Sequence, residues 1–156
     1  MDTWTFVIAD VFTDRPLAGN QLAVFTDARA IPEHLLIPLA RELNFSESVF
    51  VYPPTADGDA RIRIFMPSAE IPFAGHPVIG TAHVLALDND KPEIRLETGV
   101  GTVPVRIERD GGQPGVVDAV RALAPQGRAG VEDGKPVGGE AGVGVDLDPA
   151  AVGGRR

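Results

Sequence analysis

Residues Pro77 to Leu87 constrain the fold most. Val78, Ile79, Ala82, Val84, Leu85, Ala86 and Leu87 cover almost the whole circumference of a helix, with His83 as the polar exception. A helix that is apolar all round must be buried all round. In a chain of 156 residues, strands have to wrap it. The expected class is α+β: a curled mixed β-sheet wrapped around a central apolar helix, rather than a βαβ layout.

The approach to this helix carries chemistry. In Glu70-Ile-Pro-Phe-Ala-Gly-His-Pro77 a short apolar strand runs into a tight turn that opens the helix. Backbone N–H groups at a helix start lack internal partners and face outward. Gly75 lets a ligand approach the backbone closely, so Gly75 and His76 read as an anion site for a carboxylate or phosphate. Gly75 to Gly80 resembles a phosphate loop only loosely. No Gly-Lys-Ser accompanies it, which argues against an NTPase.

Composition narrows the classes. The chain has no cysteine, which excludes disulfides, thiolate catalysis and cysteine-based zinc sites and fits a reducing compartment. A net charge of −8 argues against nucleic acid and anionic membranes as partners. Met1 is followed by Asp2 rather than a basic-then-apolar leader, and no apolar run is long enough to span a bilayer. The expectation is a soluble cytoplasmic protein that binds neither membrane nor nucleic acid.

Along the chain, Trp4 to Phe12 has the aromatic and β-branched content of a strand. Thr13-Asp-Arg-Pro16 is a turn, Ala18-Gly-Asn20 a loop, and Leu22 to Phe25 a short strand. Pro32 to Leu43 has helical spacing with Pro38 inside it. Because a mid-helix proline costs about 3 kcal/mol, the helix either starts near Pro38 or kinks there. Ser48 to Tyr52 and Arg61 to Phe65 form a hairpin about Asp57-Gly-Asp59, the second strand alternating as a half-buried strand does. Glu93 to Glu97 and Thr102 to Glu108 follow, joined at Val100-Gly101.

Past residue 110 the character changes. All nine aromatic residues lie between Trp4 and Phe73, and twelve of the eighteen glycines between Gly111 and Gly154. Val116 to Leu123 has the makings of a short helix, but nothing beyond it offers a core face. The expected division is a lobe over residues 1–110 and a Gly/Ala/Pro-rich tail over 111–156, disordered or translated out of frame.

Three segments carry a resemblance. Asp10-Val-Phe-Thr-Asp-Arg-Pro-Leu-Ala-Gly-Asn20, Ala40-Arg-Glu-Leu-Asn-Phe-Ser-Glu-Ser-Val-Phe50, and Arg61-Ile-Arg-Ile-Phe65 with Glu70-Ile-Pro-Phe-Ala-Gly-His-Pro77 resemble, in order, the signatures of the PhzF-like family, relatives of the phenazine-biosynthesis isomerase. The resemblance covers about residues 4–108. It implies a diaminopimelate-epimerase-like fold, in which two similar lobes enclose a cleft, and this chain resembles the N-terminal lobe. It implies that Glu47 transfers the proton and that Asn20, Gly75 and His76 lie at the substrate site. The substrate class it implies is a small carboxylate, a cyclic amino acid in the best-known reaction. No cofactor and no metal are implied, and the partners are the substrate and, as an option, a second copy in a homodimer. Gln21 stands where the family usually has proline, which would loosen the loop, and Met66 where it commonly has threonine.

Plainer readings compete. Glu47, between a helix and a strand, is expected on a connecting turn. There it is either a solvated or capping side chain, or a cleft carboxylate whose pKa desolvation raises toward general acid–base work. The residues alone favour the plainer reading; the resemblance reverses the order. His76 either orients a carboxylate or bonds a neighbour. His76 and His83 lie two turns apart, a spacing unusual for metal ligands, with no acidic cluster beside them. His34 is expected to be exposed, Asp10 and Asp14 to cap a strand end, and Arg61 and Arg63 to form a solvated stripe. Two functions follow: an isomerase or epimerase acting by proton transfer, or a non-catalytic lobe that binds a small acid.

Overall fold

The computed structural model describes residues 3–13, 15, 17–110, 113–117 and 146–147. Strands β1 (Val7–Val11) and β2 (Asn20–Phe25) are followed by a 3-10 turn at Glu33–Leu35 and helix α1 (Leu36–Leu43). Then come β3 (Glu47–Tyr52), β4 (Ala60–Phe65), β5 (Glu70–Ile71), α2 (Gly75–Ala86), β6 (Glu93–Thr98), β7 (Gly101–Asp110), β8 (Gln113–Val117) and β9 (Asp146–Leu147). Pro38 falls in the first turn of α1, where its missing N–H has no intrahelical partner to lose. The helix ends at Asn44, left-handed at φ 56, whose N–H bonds Ala40 O at 3.0 Å. No helix among the described residues is long and apolar enough to cross a membrane.

One mixed sheet runs β8-β7-β6-β4-β3-β2-β1-β9, with β5 on β4. The pairs β2–β3 and β4–β6 are parallel, so each requires a crossover. Helix α1 lies in the first and α2 in the second. Both crossovers step the same way across the sheet, yet β4 runs antiparallel to β3. Crossovers of one hand then place their helices on opposite faces. The packing agrees. Val78, Ile79 and Ala82 of α2 share a core with Val11, Leu22, Val49, Ile62, Leu96 and Val105. Leu36 and Ala40 of α1 share another with Phe25, Phe50 and Phe65. The class is α+β as expected, with a curled sheet on the central helix; the expected absence of βαβ connections is corrected by these two crossovers.

Period-two alternation explains the double core. In β3, Val49 and Val51 face α2 while Phe50 faces α1. Behind α1 the phenylalanines form a ladder: Phe6–Phe25 at 5.1 Å, Phe25–Phe50 stacked at 4.6 Å, and Phe50–Phe65 edge-on at 5.3 Å. Helix α2 is buried on nearly every residue from His76 to Ala86, as its composition requires. The tail expected from residue 111 lies largely outside the described residues. Its described parts pair with the sheet, β8 with β7 and β9 with β1. Of the short helix considered at Val116–Leu123, Val116 and Val117 belong to β8, and the rest lies outside the described residues.

Candidate active site

The parallel register brings the site together. Leu22 stands opposite Glu47, so β2 and β3 begin at the same end of the sheet. In β2, Leu22 and Val24 face α2, and by alternation so does Asn20; in β3, Val49 and Val51 do, and so does Glu47. Helix α2 starts at this end. Asn20 Nδ2 lies 3.2 Å from His76 Nδ1. His76 Nε2 lies 3.4 Å from Glu47 Oε2, with side-chain exposures of 9% and 16%. Three of the four expected residues thus meet. Glu47 opens β3 rather than sitting on a turn.

Gly75 is the first residue of α2. Ala74 before it is extended and offers no side-chain cap. Pro77 has no N–H, so the outward donors of this first turn are the backbone amides of Gly75 and His76. A Cβ at Gly75 would meet nothing within 4 Å, so the space beside this residue is open. Gly80 differs: a Cβ there would come within 2.7 Å of Leu22 Cδ2 and 2.8 Å of Val11 Cγ2. Its role is to let α2 approach the sheet, not to cradle a phosphate.

Glu47 Oε2 and His76 Nε2 are both buried and neither makes a hydrogen bond. At 3.4 Å the two are in electrostatic contact only. Burial holds the His76 pKa below its ordinary value, opposed by the Glu47 carboxylate and by the Gln21 backbone carbonyl. The imidazole is therefore neutral near neutral pH.

Ser46 was missed as a separate contributor: its Oγ bonds Asn20 Oδ1 at 3.3 Å. The signal was present in its place beside Glu47. Gln21 lies inside β2, paired with Asp10 in the ladder, so no loosened loop follows from the absent proline. Asp10 is buried within β1 with Oδ1 unpartnered, and Asp14 lies outside the described residues. His34 is exposed, as expected. The expected solvated arginine stripe is corrected. Arg63 is clamped by Glu33 and Glu70, each at 2.6 Å, and Arg61 lies 4.8 Å over the Tyr52 ring.

His83 stands apart from this site. It is 4% exposed, and burial, reinforced by Arg109, lowers its pKa to about 4. Arg109 in turn bonds the Ala86 carbonyl at 3.2 Å and that of Asn89, covering the helix end. Among the described residues no three His, Cys, Asp or Glu are grouped to hold a metal ion. Two surface hollows lie elsewhere, one beside Trp4 and Arg29 and one beside Arg61 and Thr98.

The family model for phenazine biosynthesis-like proteins matches residues 9–127, past the end of the segment that carried the resemblance. The trans-2,3-dihydro-3-hydroxyanthranilate isomerase of Pseudomonas aeruginosa is 50% identical over 108 residues, 69% of this chain and 39% of that protein. Its Pseudomonas fluorescens counterpart is 49% identical over 107 residues, 69% of this chain and 38% of that protein. The chain thus spans about two fifths of the length of these relatives. Among solved structures, a PhzF-family phenazine biosynthesis protein of Bacillus anthracis superposes with a TM-score of 0.67 at 28% identity, covering 74% of this chain and 40% of that one. A probable proline racemase of Agrobacterium radiobacter, at TM-score 0.55 and 18% identity over 73% of this chain and 41% of that one, shares the fold alone. By its family match and its three signature segments, the chain belongs to the phenazine biosynthesis-like (PhzF) family.

Proposed function

We propose that this chain carries one wall of a PhzF-type isomerase or epimerase, with Glu47 as the base. The single observation that carries this is the buried, unbonded pair Glu47 Oε2 and His76 Nε2 beside an uncapped helix start. An ionised Glu47 takes a proton from a carbon activated by a neighbouring carboxylate. The electron pair left behind delocalises toward that carboxylate, which the Gly75 and His76 amides hold. The proton is then returned at another position or on the other face. No electron leaves the substrate, so the reading assigns no cofactor. Its substrate class is a small carboxylate, and the relatives named for a dihydro-hydroxyanthranilate make a cyclic amino acid the first candidate.

Deuterium wash-in from D2O into such a substrate, followed by NMR, tests the reading. Glu47→Gln is expected to slow exchange by about 10²-fold or more. A rate unchanged by that substitution would remove Glu47 as the base.

A second reading rests on the chain's spanning about two fifths of the length of these relatives: the chain binds a small acid without turnover. A carboxylate that gives binding heat in calorimetry but no exchange would support it. Exchange catalysed by the chain itself would eliminate it.

A further inference from the structure

We infer that Asn20 is a positioning residue that fixes the proton of neutral His76 on Nε2, the nitrogen facing Glu47. This rests on Glu47 being the base. Asn20 spans two contacts: Oδ1 accepts from Ser46 Oγ at 3.3 Å, and Nδ2 points at His76 Nδ1 at 3.2 Å. An amide nitrogen only donates, so Nδ1 is the acceptor and the single ring proton sits on Nε2. That N–H then faces the Glu47 carboxylate 3.4 Å away.

The opposite arrangement fails on local electrostatics. With the amide reversed, Oδ1 would demand a proton on Nδ1, and a bare Nε2 would confront Glu47 Oε2. Two lone pairs would then face each other at atoms with no solvent contact and no other partner. That arrangement suits Glu47 only after it has gained a proton. The Ser46–Asn20 pair thus holds the site in the form that presents an N–H donor to the Glu47 carboxylate. The competing acceptor for a ring proton is the Gln21 backbone carbonyl, which draws on the imidazole N–H; a proton held there on Nδ1 would leave Nε2 bare.

The resemblance implied that Asn20 lies near the substrate. Its contact is with the imidazole, and Ser46, next to Glu47, orients it. One dipeptide therefore supplies both the base and the anchor of the group that faces it.

The experiment is long-range proton–nitrogen correlation NMR on chain labelled with 15N-histidine, above the titration range of the ring. The three histidines are assigned with His34→Gln and His83→Gln. The expected pattern for His76 is Nε2 protonated and Nδ1 bare. Asn20→Asp, which can only accept, is expected to invert it, moving the protonated signal to Nδ1. Ser46→Ala, which leaves Asn20 in place, is expected to give a mixture of the two. An Nδ1-protonated ring in the parent chain, or a pattern unchanged in Asn20→Asp with its amide spectrum otherwise native, would overturn the inference. If Asn20→Asp does not fold, Ser46→Ala decides: mixing supports the inference and an unchanged pattern overturns it. The readout is independent of turnover. An Nε2-protonated ring in a chain that exchanges no deuterium would sink the proposed activity and leave this inference standing.

Discussion

At Gly80 the spacing between helix and sheet is set by a missing methyl group. The Leu22 and Val11 side chains occupy the space a Cβ would need, and both are fully buried. Gly80→Ala is expected to destabilise the chain by about 1–3 kcal/mol through overpacking, read from urea midpoints. A change below about 0.5 kcal/mol, the range of ordinary surface substitutions, would show that α2 moves aside freely. Glu97 is the other residue that organises more than itself. Its carboxylate accepts from Thr55 N at 2.7 Å, Thr55 Oγ1 at 2.8 Å, Ala56 N at 2.7 Å and Gly58 N at 3.1 Å. The loop between β3 and β4 is thereby tied to β6. No sequence reading finds this, because the partners lie about forty residues away and turn amides carry no side-chain signature. Glu47, Asn20 and His76 were legible for the opposite reason: each sits in a short motif whose neighbours are distinctive. Ser46 was legible only as context, since a serine beside a glutamate has many uses.

Among the elements, β3 matters most. It has parallel and antiparallel neighbours and a packed core on each face. Phe50, fully buried within it, stacks on Phe25 and meets Phe65 edge-on. Phe50→Ala is expected to cost about 3–5 kcal/mol, measured by equilibrium denaturation, and a loss under about 1 kcal/mol would mean that the ladder carries little of the fold. Strands β1 to β4, β6 and β7 were readable from alternation and β-branched content, and α2 from its all-apolar surface; β8 and β9 were not, because residues past 110 carry no sustained period. The two parallel pairings were not, because period two reports which faces are buried and not which strand lies beside which. The alternation of Arg61 and Arg63 likewise showed a partly exposed face, but not that Glu33 and Glu70 would gather on Arg63.

For the molecule as a whole, buried ionisable groups set the response to acid. His83 titrates near 4 when folded against an ordinary value of 6.5. Below 6.5 the unfolded chain binds a proton that the folded chain refuses, so stability falls as pH drops from about 6.5 to about 4; the lowered pKa of His76 acts in the same direction. Glu97 titrates near 2 when folded against 4.5. Its contribution is complete above about 4.5 and is lost as pH falls toward 2. Two successive losses are expected in urea midpoints taken across this range. His83→Gln should flatten the first and leave the second, and an unaltered first loss would place its origin elsewhere. The curled α+β architecture was legible because one helix had to be covered on every side. The double-sided sheet was not, since it depends on the direction of the second crossover. That second core has a consequence for adaptation. Glu47 and His76 hang from a strand and a helix clamped by tightly packed layers, so neither can be re-aimed without disturbing the interior. A lineage that changed what binds beside Glu47 and His76 while keeping this interior would have to record the change in exposed residues around the pair, so divergence belongs there and not in the aim of the two side chains.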